Sequence, residues 1–212
     1  MSKQKIVLFS VVSLVLLFVV ATMGYNTSKS KEVEQIAKKH EEVFIREYST
    51  VIGENDAKVT IVEFLDPACE TCRAFYPIIK DLLKKHDGEI RHVIRYAPFH
   101  PDSDYVVKLL EATKKQGKYI QALEALFQYQ SQWASHHSPN IQVVWKIMSS
   151  IGLNIQQLKD DFNNPELDKL IKQELADAKT LGVKKTPQYF VNGKMLQQFG
   201  HKQLLELINS EL

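Results

Sequence analysis

Cysteine is nearly missing from this chain: 212 residues hold only Cys69 and Cys72. With no second Cys or Cys/His pair, a structural zinc site lacks its four ligands. Phosphate loops and the Gly-x-Ser-x-Gly elbow of serine nucleophiles are absent as well. Excess charge of one sign is lacking too, since 27 Lys and Arg face 25 Asp and Glu for a net +2. The two signs are interleaved, which leaves no nucleic-acid surface. Beyond the N-terminal apolar run the chain carries no internal repeat and no low-complexity segment.

The two cysteines that are present stand close together, as Cys69-Glu70-Thr71-Cys72. Residues Val59 to Leu65 are apolar and β-branched and break at Asp66-Pro67, which predicts a buried strand. Beyond Cys69 the period changes to 3.6, with Phe75, Ile78, Ile79, Leu82 and Leu83 on one helix face. Cysteines three apart on a first helical turn have Cβ atoms roughly 5–6 Å apart, near enough for a disulfide to close with small adjustments. Cys69 is expected at or near the N-cap, where free N–H groups and the helix dipole favour a thiolate. It is the expected nucleophile, and Cys72 the resolving thiol. A purely structural disulfide is the alternative, but so short a loop gains little stability from closure.

The N-terminus opens with Lys3 and Lys5 and runs apolar from Ile6 to Met23, long for the core of a signal peptide and at the lower limit of a membrane span. An uncleaved anchor is favoured over a cleaved signal, because small residues are not paired before a cut site. In either case the early lysines stay inside and the remainder is exported. The expected divisions are a membrane anchor or uncleaved signal (1–25), a linker with an amphipathic helix (26–50), and one domain (51–212). The amphipathic helix covers Glu32 to Tyr48 with Val33, Ile36, Ala37, His40 and Phe44 on one side.

Within the domain, Ile90 to Tyr96 alternates like a second strand. The pattern is then helical: Tyr105–Gln116, Tyr119–Gln130, Ile141–Ile151, Ile155–Phe162 and Glu166–Leu181. Asn154 and Asn164 mark starts and Gly152 and Gly182 stops. Strands at Gln188–Val191 and Lys194–Phe199 flank Asn192-Gly193, a hairpin turn, and a helix at Lys202–Ser210 closes the chain. Tyr119, Phe127, Trp133, Trp145 and Phe162 have core-like spacing. His136-His137 is read as a solvated turn, and His100-Pro101-Asp102 as the start of a helix that could edge the site.

This order, together with Val59-Thr-Ile-Val-Glu-Phe-Leu-Asp-Pro-Ala-Cys-Glu-Thr-Cys72, Phe99-His-Pro-Asp-Ser103 and Leu181-Gly-Val-Lys-Lys-Thr-Pro-Gln-Tyr-Phe-Val-Asn-Gly193, resembles the DsbA-like thiol:disulfide oxidoreductases. The resemblance covers roughly Val51 to Leu212. It implies an α/β thioredoxin fold with an inserted helical subdomain at about 103–180, to which the apolar N-terminal run adds a preceding transmembrane helix. Pro187 matches the family's cis-proline, and Thr186 would offer backbone groups to an extended substrate. Glu63 matches the buried acid beneath the disulfide, which can take and return the proton of Cys72. Glu70 and Thr71 depart from the best-known oxidases, which place a histidine between the cysteines. Glu70 is expected to raise the Cys69 thiolate pKa and make the disulfide less oxidising.

The resulting expectation is a single-pass, membrane-anchored oxidoreductase of the periplasmic or extracytoplasmic side, donating disulfides to exported proteins. Reduction or isomerisation on the same face is the alternative within enzymes, and a thioredoxin-like binding module the alternative outside them. Catalysis would rest on Cys69, Cys72 and Glu63, substrate binding on Thr186 and Pro187, and modulation on Glu70 and Thr71. No cofactor and no metal is called for, because the cysteine pair carries two electrons itself. The implied partners are exported thiol or disulfide substrates, a membrane redox protein and the inner membrane through residues 6–23.

Overall fold

A computed structural model describes residues 12–25, 41–134 and 139–212, with the single positions 4, 28, 31 and 35. Residues 12–25 are helical, with Leu17 and Phe18 turned outward. Among the described residues no helix is long and apolar enough to cross a membrane. Residues 6–11 of the expected 6–23 span lie outside the described residues, so the transmembrane expectation stays a proposal. The same holds for His136-His137 and for most of positions 32–40. Of the helix expected over Glu32 to Tyr48, the described part is α1 (Glu41–Phe44). It ends where Phe44 is buried edge-on against Phe190, with ring centres 5.3 Å apart.

Five strands form one mixed sheet in the order β1-β3-β2-β4-β5. They are β1 (Thr50–Ile52), β2 (Val59–Leu65), β3 (Ile90–Tyr96), β4 (Gln188–Val191) and β5 (Lys194–Met195). β2 and β3 run parallel, which requires a crossover, supplied by α2 (Glu70–Lys85). β4 returns antiparallel to β2, with Tyr189 opposite Glu63. The edge strand β1 escapes sequence reading because three residues are too few to show a period. β5 is shorter than the expected Lys194–Phe199, since beyond Leu196, whose N–H donates to the Tyr189 carbonyl, the chain leaves the sheet.

β3 departs from the alternation expected of it. Only Arg91 is partly exposed, and His92 and Arg95 are buried with the apolar residues. A strand between two neighbours and beneath helices on both faces has no solvated side, so each of its polar side chains must find a partner inside.

The helical block between β3 and β4 comprises α3 (Ser103–Ala112), a 3₁₀ turn (Thr113–Gln116), α4 (Tyr119–Gln128), α5 (Gln130–Trp133), α6 (Ile141–Ser150), α7 (Ile155–Phe162) and α8 (Pro165–Thr180). Asn154 and Asn164 cap α7 and α8 by accepting from the backbone N–H groups of Gln157 and Glu166. Gly182 follows α8 with φ +71°, the left-handed stop that favours glycine. Helix α9 (His201–Asn209) closes the fold.

The sheet separates the core. One face packs on α2, α9 and the helical block, where Trp133 is fully buried and its indole N–H donates to the Leu126 carbonyl at 2.7 Å. The other packs Val62, Phe64, Val93 and Phe190 on Phe44 and the end of α8. There Arg95, fully buried, donates to Glu174 at 2.8 Å and Asp177 at 2.7 Å, and Asp177 also holds Arg46 at 2.7 Å. This network ties the segment before β1 to the sheet and to α8.

Candidate active site

Asp66-Pro67 ends β2, and the chain turns into α2 through a loop that is held from three directions. Asp66 is fully buried. Its Oδ2 accepts from the backbone N–H groups of Phe99 (2.8 Å) and His100 (3.0 Å) and from the Ser103 hydroxyl (3.0 Å), and lies 2.8 Å from His100 Nδ1. Its Oδ1 accepts from Ala68 N–H at 2.9 Å. From the helical block, Gln130 Nε2 donates to the carbonyls of Pro67 (2.8 Å) and Cys69 (3.0 Å). A buried carboxylate with this many donors costs least when they are preset around it. Neither Asp66 nor Gln130 stands out in the sequence, since Asp before Pro reads as an ordinary strand end and Gln130 as one polar position among helix residues.

The loop delivers Cys69 to the N-cap of α2, with extended backbone angles of −76° and 118°. Its Sγ accepts from the Cys72 backbone N–H at 3.5 Å. On the far side the Thr186 carbonyl lies 3.2 Å from Sγ, brought there from 117 positions away in the chain. Thr186-Pro187 is a cis peptide bond, and Pro187 is buried. Cys72 is one turn deeper and fully buried, whereas Cys69 is 6 % exposed. Both are free thiols.

These surroundings separate the two protons. Hydrogen bonding from the Cys72 side chain, with smaller help from Thr186 and the backbone N–H groups of Thr71 and Cys72, outweighs burial and pulls Cys69 down to about 6. The Thr186 carbonyl acts oppositely, because it can accept only from the thiol. Burial pushes the Cys72 thiol well up, reinforced by its bond to Cys69 and the charge of Glu63. Glu70, expected to keep Cys69 high, is exposed and is not among the groups that move it most. The donors at the helix start dominate instead. Thr71 is exposed at the same turn.

Glu63 lies on the α2 side of the sheet at 1 % exposure, and its Oε1 accepts from the Tyr189 hydroxyl at 2.9 Å. Its Oε2 stands 2.9 Å from His92 Nε2. Sequence reading had no reason to select His92 or Tyr189. Their pairing with Glu63 follows from strand register, and a lone histidine in a strand carries no mark of it. Among the described residues no cluster of His, Cys, Asp and Glu is arranged to hold a metal ion.

Comparison with known proteins gives the arrangement its relatives. A family model described as Thioredoxin matches residues 46–210. A protein of Bacillus anthracis named probable disulfide bond formation protein D is 24 % identical over 205 residues, covering 92 % of this chain and 91 % of its own length. The Na(+)/H(+) antiporter NhaA of Herminiimonas arsenicoxydans is 26 % identical over 151 residues, which is 71 % of this chain but only 23 % of the antiporter. This chain thus spans about a quarter of that relative. Among solved structures, a thioredoxin-like oxidoreductase from Silicibacter pomeroyi DSS-3 superposes with a TM-score of 0.69 at 28 % identity, over 81 % of this chain and 96 % of that one.

Proposed function

The chain belongs to the thioredoxin family, as a DsbA-like thiol:disulfide oxidoreductase, and from that premise we propose that it donates disulfides to exported proteins through Cys69 and Cys72. The observation that carries the reading is the contrast between the cysteines. A sulfur held at a helix N-terminus with its proton value near 6 stands over one that is buried and pushed up.

In the donating direction a substrate thiolate attacks Cys69 of the closed disulfide and expels the Cys72 thiolate, which takes up a proton. A second substrate thiolate then attacks the substrate sulfur of the mixed disulfide and releases Cys69 as a thiolate. Two electrons and two protons pass from the substrate dithiol to the enzyme and its surroundings. The low value of Cys69 makes it the better leaving group in that last step. Burial of Cys72 keeps it from competing as a nucleophile until its proton is removed, a task we assign to Glu63. Thr186 and Pro187, against Cys69, are the place for an extended substrate strand, and the exposed Glu70 and Thr71 border it. The apolar run 6–23 behind Lys3 and Lys5 supports a membrane anchor with the domain on the extracytoplasmic side, where a membrane redox partner would reoxidise the pair.

The test is the reduction potential of the full chain, by thiol trapping across glutathione buffers. The Cys69 value lies between the ~7 of thioredoxin and the ~3.5 of DsbA, and each unit corresponds to about 30 mV. A potential between about −270 and −120 mV is expected. A value at or below that of thioredoxin would replace donation with reduction.

A further inference from the structure

Beneath Cys72 the sheet carries an arrangement that disulfide exchange by the cysteines alone does not explain. β2 and β3 pair in parallel with Ile61 opposite His92, so Glu63 and His92 stand diagonally on the same face, two positions apart. Tyr189 enters that face from β4, directly across from Glu63. All three side chains are at most 1 % exposed. The Tyr189 hydroxyl donates to one carboxylate oxygen, and His92 Nε2 approaches the other at 2.9 Å. That approach has the distance of an ion pair without the alignment of a hydrogen bond. Glu63 Oε2, His92 Nε2 and His92 Nδ1 are three of the seven buried side-chain polar atoms lacking a hydrogen-bond partner among the described residues. A buried polar atom without a well-aligned partner costs stability, and an apolar pair would avoid the cost. Their concentration under the redox pair calls for a role in its chemistry.

We propose that His92 is a positioning residue for the resolving step, holding with Tyr189 the Glu63 carboxylate that takes the proton of Cys72. The inference rests on the roles given above to Cys69, Cys72 and Glu63. In the reducing direction Cys69 thiolate attacks a disulfide and releases one thiolate. Cys72 then passes its proton to Glu63, and its thiolate attacks Cys69 and releases the second. Glu63 then gives that proton up to solvent as the pair closes. The second step thus depends on the Cys72, Glu63 and His92 cluster acting together, whereas the first depends on Cys69. The other titratable groups facing the pair are Cys72 and Tyr76 of α2 and Tyr189, all pushed up in part by the charge of Glu63. Tyr119 of α4 follows behind Tyr76. The neighbour on β1 is the apolar Ile52, and Arg95, Glu174 and Asp177 lie on the sheet's opposite face.

The experiment uses the reduced full chain with a chromogenic aromatic disulfide, in stopped flow across pH 5 to 9. Attack by Cys69 releases the first coloured thiolate and resolution by Cys72 the second. His92→Asn and Tyr189→Phe are expected to slow the second phase at pH 7 by roughly tenfold and threefold, and Glu63→Gln by about a hundredfold. His92→Asn and Tyr189→Phe should leave the first phase within about twofold. In His92→Asn the pH profile of the second phase should change while that of the first stays as in the wild type, a result that a merely packing role would not produce. Should His92→Asn fail to fold, Tyr189→Phe keeps the ring and its packing and carries the test. A second phase unchanged in either variant, or one whose pH profile in the wild type copies the first phase, would overturn the proposal. Absence of the first phase in the wild type would instead overturn the role of Cys69, and this inference with it.

Discussion

Replacing Cys72 with alanine isolates what holds the Cys69 proton. An ordinary thiol ionises near 8.5, so a value of about 6 places about 90 % of Cys69 as thiolate at pH 7, against about 3 % for a free cysteine. The largest contribution is the hydrogen bond from the Cys72 side chain. Cys72→Ala deletes that donor but keeps the backbone N–H of position 72 at 3.5 Å from Sγ. A hydrogen bond to a charged group is worth roughly 1.5–3 kcal/mol, or about 1–2 pKa units at 1.36 kcal/mol each. Cys69 in the variant should therefore titrate at roughly 7–8. The assay is the pH dependence of alkylation by iodoacetamide, with thiolate ultraviolet absorbance as a second readout. An inflection that stays near 6 in Cys72→Ala would refute the assignment of the donor, and a wild-type inflection above 8 would refute the depressed value itself. Stability carries the same signature. Because Cys69 ionises lower when folded, the unfolded chain binds more protons between about pH 6 and 8.5, and the stability of the reduced protein rises with pH across that window. The gain is about 3 kcal/mol, complete above 8.5 and lost as pH falls through 6. Cys72 opposes it only above about 8.5, where its unfolded counterpart begins to ionise. Urea unfolding of the reduced and oxidised chains at the two ends of the window measures the difference.

Arg95→Met leaves Glu174 without its buried cation and Asp177 with Arg46 and the Gln173 amide. It should cost about 3–5 kcal/mol in urea unfolding, and a loss under about 1 kcal/mol would mean that the network is not buried as described. Asp66→Asn turns an amide toward donors that a carboxylate now satisfies. A loss of about 1–3 kcal/mol is expected, and an unchanged thermal midpoint would contradict the role of Asp66 in holding the loop. Glu70→Gln should move the Cys69 inflection by less than about half a unit, because charge at an exposed position is screened. A drop of a full unit would restore Glu70 as the modulator.

The legibility of the fold follows the range of the interactions involved. β2 and α2 are readable because a seven-residue run rich in apolar and β-branched side chains, a proline break and a 3.6 period are all local, and both were found at Val59–Leu65 and Glu70–Lys85. The caps Asn154 and Asn164 are readable for the same reason. β3 is readable as a strand but not in its burial: alternation suggested a wet face, and two helical layers removed it. The site divides in the same way. Cys69 at the helix start follows from three residues of spacing. Asp66 and Gln130, which hold its loop, act on backbone groups that carry no sequence mark.

By itself the sequence determined the local elements and the dithiol at a helix N-terminus, since periodicity, capping and spacing act within a few residues. Tertiary structure alone decided the proton affinities and the partners. Thr186 reaches Cys69 across 117 positions, and strand register sets His92 and Tyr189 around Glu63. Hydrogen bonds to Cys69 and burial of Cys72 then turn two chemically identical thiols into one that ionises near 6 and one pushed well up. The strength of a charge interaction depends on the water removed around it, and only packing removes water.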